Sequence, residues 1–152
     1  MERGDFELGT DGPSVILAAI DGSVTALRAA AYAVGLARRQ GARVVALYVA
    51  PAASLAMGSA QGAPIVAAER EMHSQIAREL GTQTSTKARE FGVSLTFVTA
   101  SGDPYREIAR VAAEIRADAI VVGASLQAGH RLMGSLAVRL VRAGKWPVTV
   151  VP

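Results

Sequence analysis

The segment AIVVGASLQAGHRLMGS, residues 119–135, contains the features that determine the fold. It opens with an apolar run of strand length, enters a loop at Gly123, and closes with Gly134 and Ser135 in front of a helical pattern over residues 136–143. A glycine-containing connection between a buried strand and a helix start is a common seat for anions. The first N–H groups of a helix have no partner within it, and the helix dipole is positive there. The segment therefore predicts a strand-loop-helix unit that binds a phosphate-bearing ligand.

The rest of the chain repeats the alternation of apolar strand and helix. The apolar runs of strand length cover residues 15–20, 44–49, 94–99, 119–122 and 147–151. Alternation of this kind predicts a parallel sheet with helices on both faces. Right-handed crossovers and a chain that starts in the middle of the sheet give the strand order 3-2-1-4-5, a doubly wound, Rossmann-like α/β fold. We therefore expect one α/β domain over residues 13–152, preceded by a flexible tail at residues 1–12.

The helical segments carry recognisable start signals and apolar stripes. Ser23 and Asp103 are predicted N-caps. The residues expected to face the core from the first helix are Leu27, Ala31 and Val34. The residues expected to form the apolar stripe of the long helix are Ala68, Met72, Ile76 and Leu80. We expect residues 52–64 to form a long mobile loop, and the long helix to loosen at residues 81–86.

The predicted strand order brings two distinctive turns together. Ligands of open α/β sheets bind at the carboxyl ends of the strands that flank the switch point, here strands 1 and 4. The Asp21-Gly22-Ser23 turn follows strand 1, and the loop from Gly123 follows strand 4. Asp21 is therefore a candidate ligand-binding residue at this edge, but an ordinary turn aspartate beside the Ser23 cap explains it equally well.

These motifs resemble those of the universal stress protein family, and the resemblance covers residues 13–152. It rests on Asp-Gly-Ser after the first strand, on Val-Val-Gly leading to Gly-Ser, and on the closing Pro-Val-Thr-Val-Val. Members that bind ATP have a glycine, two residues, a second glycine, nine residues and then Gly-Ser or Gly-Thr. Gly123 and Gly134-Ser135 match the two ends of that pattern. Leu126 replaces the inner glycine, and the loop is two residues shorter than the pattern.

The resemblance implies a regulatory module that binds ATP at the switch point, with Mg²⁺ as a candidate companion of the nucleotide. The candidate binding residues are Asp21, Gly22, Ser23, Val49, Gly123, Gly134 and Ser135. By this resemblance, Asp21 would accept a hydrogen bond from the adenine amino group or the ribose. Val49 would contact adenine through its backbone, or is an ordinary core residue. Gly123 is otherwise a turn glycine, and Ser135 is otherwise a plain N-cap.

The resemblance also implies a homodimer paired through the last strand, Val148–Val151. The shortened loop keeps a second hypothesis open, in which the protein has the same fold and does not bind ATP. In that case it would act in the stress response as a dimeric interaction protein, with a regulatory protein partner that the sequence does not identify.

Composition argues against several other classes. The 16 basic and 13 acidic residues give a net charge of +3 with scattered arginines, which does not indicate nucleic-acid binding. The apolar runs are too short to span a membrane. The N-terminus is charged and does not resemble a signal peptide, and the chain contains no cysteine, so we expect a cytoplasmic protein. His73, expected at the surface, and His130 lack the spacing of metal ligands. No nucleophile-base set is visible, so we expect no enzyme activity beyond slow, incidental ATP hydrolysis.

Overall fold

The fold is a five-stranded parallel sheet with order β3-β2-β1-β4-β5. The computed structural model describes residues 12–52, 61–125 and 134–152. The strands within them are β1 (Val15–Ile20), β2 (Arg43–Ala50), β3 (Leu95–Ser101), β4 (Ala119–Gly123) and β5 (Val148–Val151). The helices are α1 (Val24–Gln40), α2 (Ala63–Glu90), α3 (Pro104–Glu114) and α4 (Ser135–Ala143). The order and the parallel pairing confirm the predicted doubly wound α/β fold.

The helices cover both faces of the sheet. α1 and α2 lie on one face, and α3 and α4 lie on the other. The central strands β1 and β2 are almost completely buried because both of their faces are covered, which explains their continuous apolar sequences. Successive residues of β2 therefore serve different layers: Val44 packs under α1 and Val45 under α3.

The buried side of α1 differs from the predicted one. Leu27 is 37% exposed and Ala31 is also exposed, so only Val34 of the predicted residues is buried. The small residues that face the sheet instead are Ala26, Ala29, Ala30, Ala33 and Ala37. Alanine has no side chain beyond Cβ, so this face lets the helix backbone approach the sheet closely.

The predicted stripe of α2 is also wrong in its first half. Met72 is 51% exposed and Ala68 is exposed, whereas Leu80 is buried as expected. The helix runs without interruption through residues 81–86, where the hydroxyl of Thr84 donates a 2.7 Å hydrogen bond to the carbonyl of Leu80. Sheet contacts on this side of the helix override the weak helix propensity of the stretch.

Two predicted segments lie largely outside the described residues. Residues 1–11 belong to the predicted tail, and residues 53–60 belong to the predicted loop. The predicted end of that loop, at residue 64, is wrong, because α2 already begins at Ala63. Pro64 lies in the first helical turn, where a missing N–H costs nothing. Among the described helices, none combines the length and the apolar character of a transmembrane span.

A buried carboxylate joins β1 to β4 at their amino ends. Oδ2 of Asp118 accepts hydrogen bonds from the backbone N–H groups of Ser14 and Val15, at 2.8 and 2.9 Å. Asp118 is only 8% exposed. These bonds fix the start of β1 against β4, and so help to set the register of the two strands whose other ends form the candidate site.

Candidate functional site

The carboxyl ends of β1 and β4 lie side by side, as the strand order predicts. Ala18 is paired with Val121, so Ile20 and Gly123 lie at the same level of the sheet. Asp21 follows Ile20 directly. The two turns singled out in the sequence therefore leave the sheet next to each other, at the switch point.

Hydrogen bonds within the chain shape the Asp21-Gly22-Ser23 turn. Oδ1 of Asp21 accepts a 2.9 Å hydrogen bond from the backbone N–H of Ser23. Gly22 has a φ of +85°, a conformation that glycine adopts without steric cost. Oγ of Ser23 accepts a 3.2 Å hydrogen bond from the N–H of Ala26 and caps α1, as predicted. Asp21 is exposed, so its carboxylate is accessible to a ligand at the edge of the sheet.

Gly123 lies where β4 touches the first turn of α1. A Cβ at this position would lie 2.5 Å from the carbonyl carbon of Thr25 and 2.6 Å from the nitrogen of Ala26. Directly beyond it, the hydroxyl of Thr25 donates a buried 2.7 Å hydrogen bond to the carbonyl of Ala124. Close packing of helix against strand therefore accounts for the glycine, and Gly123 is the last residue of the strand rather than a turn residue.

The ends of the glycine loop approach each other at its base. A Cβ on Gly134 would lie 2.6 Å from the Cβ of Ser125. Gly134 is the N-cap of α4, and Ser135 is the first helical residue, so the interpretation of Ser135 as a plain N-cap is wrong. Among the described residues, no side chain caps this helix start. Leu126, which replaces the family's inner glycine, lies outside the described residues.

Val49 presents its side chain and its backbone to different surroundings. The side chain is half-buried against the core under α3. The bond from the N–H of Arg43 to the carbonyl of Ser14 fixes the alternation of the ladder, so the N–H and C=O of Val49 point toward β1. The pairing of β1 with β2 ends at Ile20 and Tyr48. The carbonyl of Val49 therefore points beyond the last pair, toward the carboxyl edge of the sheet.

A hydrogen-bonded Tyr48–His73 pair lies beside these residues. The hydroxyl of Tyr48 is 2.7 Å from Nδ1 of His73, and Tyr48 is only 4% exposed. Burial raises the pKa of the Tyr48 phenol, and the negative charge of Asp21 raises it further. The expectation of a surface His73 is wrong, since the residue is half-buried under this contact. The sequence offers no signal for a pair that joins β2 to α2 across 25 positions.

On the other face of the sheet, Arg139 joins α4 to α3. Its guanidinium lies 4.4 Å from the ring centroid of Tyr105, with Nη1 3.3 Å from Oδ2 of Asp103. Asp103 caps α3 as predicted, by accepting a 2.9 Å hydrogen bond from the N–H of Arg106. That bond, assisted by Arg139, lowers the pKa of the Asp103 carboxyl. Arg139 is four residues after Ser135 and so lies on the same side of α4.

The residues at this edge of the sheet combine hydrogen-bond acceptors with hydrogen-bond donors. Asp21 and the carbonyl of Val49 are acceptors suited to the amino group of a base or the hydroxyls of a ribose. The start of α4 supplies N–H donors suited to an anion. In the part of the chain that the structure describes, no group of three or more His, Asp or Glu residues could hold a metal ion.

Comparisons with known proteins place the chain in a family. The model of the Universal stress protein family matches residues 14–152. A universal stress protein of Methanocaldococcus jannaschii is 32% identical over 137 residues, which cover 86% of this chain and 77% of that protein.

Solved structures agree with this match. The universal stress protein UspA from Lactobacillus plantarum superposes with a TM-score of 0.81 at 23% identity, covering 91% of this chain and 97% of that one. A universal stress protein family member from Arabidopsis thaliana, solved with AMP bound, has a TM-score of 0.66 at 19% identity and covers 91% of each chain. Further members solved in complex with cAMP and with dAMP have TM-scores of 0.70 and 0.63. The family model, the archaeal relative and the shared fold show that this chain belongs to the universal stress protein family.

Proposed function

We propose that this protein is a regulatory module that binds an adenine nucleotide at the carboxyl ends of β1 and β4. One observation carries the proposal: the register of the sheet brings the Asp21 turn beside the end of β4, where the loop leading to α4 begins. Relatives solved with AMP, cAMP and dAMP support the choice of an adenine nucleotide. ATP is the nucleotide that the sequence motif favours.

Each candidate residue has a separate role in this proposal. The carboxylate of Asp21 and the carbonyl of Val49 accept hydrogen bonds from the adenine or the ribose. Gly22 and Ser23 shape the turn that presents Asp21. The N–H groups at Gly134 and Ser135, together with the Ser135 hydroxyl, bind the phosphates at the start of α4. Gly123 contributes by letting β4 and α1 meet closely enough to form the crevice.

Mg²⁺ in this proposal arrives with the nucleotide. Mg²⁺ keeps several water ligands and is commonly held through substrate phosphates rather than through an all-protein cage. The absence of a metal-binding cluster among the described residues is compatible with such an arrangement. We propose a binding protein rather than an enzyme, whose output is a change in its interactions with an unidentified regulatory protein.

The second candidate is a dimeric interaction protein that does not use a nucleotide, and the edge of the sheet favours a dimer in either case. The N–H of Ile120 bonds to the carbonyl of Pro147, and the N–H of Ala124 bonds to that of Val151. The alternation of the ladder therefore turns the N–H and C=O groups of Val148 and Val150 outward. Among the described strands, none pairs with this edge, so a second copy of β5 can do so.

Nucleotide competition tests the proposal. The purified protein is stripped of bound nucleotide and mixed with fluorescent ATP, which is then displaced by ATP, AMP, cAMP, GTP or GMP. The proposal predicts displacement by adenine nucleotides and little displacement by GTP or GMP at equal concentration. Absence of binding, or equal displacement by guanine nucleotides, would reject an adenine site.

A further inference from the structure

A separate groove lies along the other edge of the sheet, between α2 and β3. Its volume is about 1460 Å³, and it extends from Tyr48 and Ala50 at the end of β2 along the length of α2. Phe97, Thr99 and Ser101 of β3 line its floor. The proposed nucleotide crevice at β1 and β4 does not use these residues.

The floor of the groove contains an open strand edge. The N–H of Val44 bonds to the carbonyl of Ser94, and the N–H of Gly102 bonds to the carbonyl of Ala50. In a parallel ladder, the N–H and C=O groups of alternate residues point to opposite sides of the strand, so those of the even-numbered residues of β3 form hydrogen bonds with β2. The N–H and C=O groups of Phe97, Thr99 and Ser101 consequently point away from the sheet, and no described strand pairs with them.

This edge lacks the usual protection against strand pairing. Natural proteins blunt edge strands with charged residues, prolines or bulges. The sequence of β3, LTFVTAS, contains neither a charge nor a proline. An extended peptide can therefore add to β3 and form main-chain hydrogen bonds with it.

The wall of the groove selects the charge of its occupant. Among the described residues, the charged side chains that line it are those of Arg70, Arg78 and Arg89 and one carboxylate, Glu69. Arg78 forms an exposed ion pair with Glu71, whereas Arg70 and Arg89 form no ion pair among the described residues. The rise of the helix places Arg70 and Arg89 roughly 28 Å apart, the length of an extended peptide of about eight residues. The wall therefore places an arginine without an ion-pair partner among the described residues near each end of such a peptide.

We propose that the α2–β3 groove binds an acidic, extended peptide segment of a partner protein as an additional strand beside β3. Its backbone pairs with Phe97, Thr99 and Ser101, and its carboxylates meet the arginines of α2. A second copy of this chain is a poorer occupant. Edge-to-edge pairing of two β3 strands would bring two rows of arginines together, and like charges repel.

The test uses the full chain and a fluorescein-labelled octapeptide of alternating Glu and Val, with blocked ends, followed by fluorescence anisotropy. Thr99→Pro removes an outward N–H without touching the ladder to β2, and Thr99→Val is its matched control. We expect the proline variant to bind the peptide about tenfold more weakly or worse, and the valine variant to bind like the native protein. Equal binding by Thr99→Pro and the native chain would overturn the proposal, as would no binding to the native chain.

Charge reversal tests the wall separately. The double variant Arg70→Glu, Arg89→Glu should lose the Glu-Val peptide and gain affinity for a Lys-Val octapeptide. Arg39→Glu, Arg142→Glu makes the same change in net charge at exposed positions outside the groove and should change neither. Equal effects of the two double variants would show that only net charge matters and would reject the groove.

Two further measurements cover the cases in which the proline variant misfolds or the chain associates with itself. If Thr99→Pro fails to fold by circular dichroism, a Glu-Val peptide with alternate N-methyl groups replaces it, and undiminished binding of that peptide to the native chain overturns the proposal. Light scattering detects the competing occupant. Self-association of the native chain that Thr99→Pro abolishes would identify a second copy in place of a foreign peptide.

Discussion

The hydroxyl of Thr25 donates a buried 2.7 Å hydrogen bond to the carbonyl of Ala124, which lies 99 residues further along the chain. Thr25 belongs to the first turn of α1, and Ala124 is the first residue beyond β4. The bond therefore joins the two flanks of the switch point. Together with the close approach of Gly123, it fixes where the loop that leads to α4 leaves the sheet.

Thr25→Val should destabilise the protein. Valine has nearly the same shape but cannot donate, so the buried carbonyl of Ala124 loses its partner, at a cost of about 1–3 kcal/mol in the free energy of unfolding. Urea denaturation measures the change. Thr25→Ser keeps the hydroxyl and should lose less stability than Thr25→Val. A valine variant as stable as the native protein would show that this hydrogen bond does not contribute to the free energy of unfolding.

Alanine substitutions at two glycines should have opposite effects. Gly123→Ala places a Cβ against the backbone of α1 and should destabilise the protein by about 1–3 kcal/mol. Gly35→Ala, inside α1, meets only the end of the Arg39 side chain at 3.5 Å and should stabilise it by about 0.5–1 kcal/mol. Thermal or urea unfolding of both variants tests this. A Gly123→Ala protein with unchanged stability would contradict the tight contact between helix and strand.

The pKa of Tyr48 should make stability depend on alkaline pH. Burial, assisted by Asp21, raises the pKa of Tyr48 in the folded protein above its ordinary value of 10.0. The unfolded chain therefore releases this proton first as the pH rises. The stabilising contribution of protonated Tyr48 to the free energy of unfolding is fully present below pH 10. It is lost as the pH rises through the folded pKa.

Absorbance titration of the phenolate measures this pKa. Subtracting the titration curve of Tyr48→Phe from that of the native protein isolates the signal of Tyr48. Asp21→Asn should lower the pKa of Tyr48, but not fully to its ordinary value, because burial is the larger cause. An unchanged Tyr48 titration in Asp21→Asn would show that the Asp21 carboxylate does not act on this phenol.

A substitution in β5 tests the proposed homodimer. The N–H of Val150 points outward from the sheet, so Val150→Pro should block strand pairing between copies and leave the ladder to β4 in place. We expect a monomer by light scattering, whereas the matched variant Val150→Ile should remain dimeric. A folded Val150→Pro protein that is still dimeric would place the interface elsewhere.

The sequence predicted the backbone of the site better than its side chains. The apolar runs, the caps at Ser23 and Asp103 and the strand order follow from local rules, so the convergence of the Asp21 turn with the end of β4 was predictable. The buried side of α1 was not. A row of alanines is buried in place of Leu27, and their small side chains let α1 lie close to the sheet, as the contact at Gly123 shows for the first turn.

Long-range side-chain pairs account for most of what was missed. His73 is half-buried because α2 crosses the end of β2 at Tyr48, and no periodicity in the sequence encodes that crossing. Asp118 binds the start of β1 from a position next to β4, more than a hundred residues away in the chain. Such contacts depend on the assembled sheet, whereas strands and caps depend on neighbouring residues.

Calorimetric titration of ATP into nucleotide-free protein is the most direct test of the nucleotide site, with Ser135→Glu as the decisive variant. Ser135 is preferable to Gly134, because any side chain on Gly134 would displace Ser125. A carboxylate at the first position of α4 interacts favourably with the helix dipole, so the helix should still form, and it occupies the place of the phosphates. Val141→Glu adds the same charge at an exposed position of α4 away from the site and serves as the control.

We expect micromolar binding of ATP by the native protein and by Val141→Glu, and at least about a tenfold loss of affinity in Ser135→Glu. No heat of binding with the native protein, or equal affinity in Ser135→Glu and Val141→Glu, would contradict a nucleotide site at the start of α4.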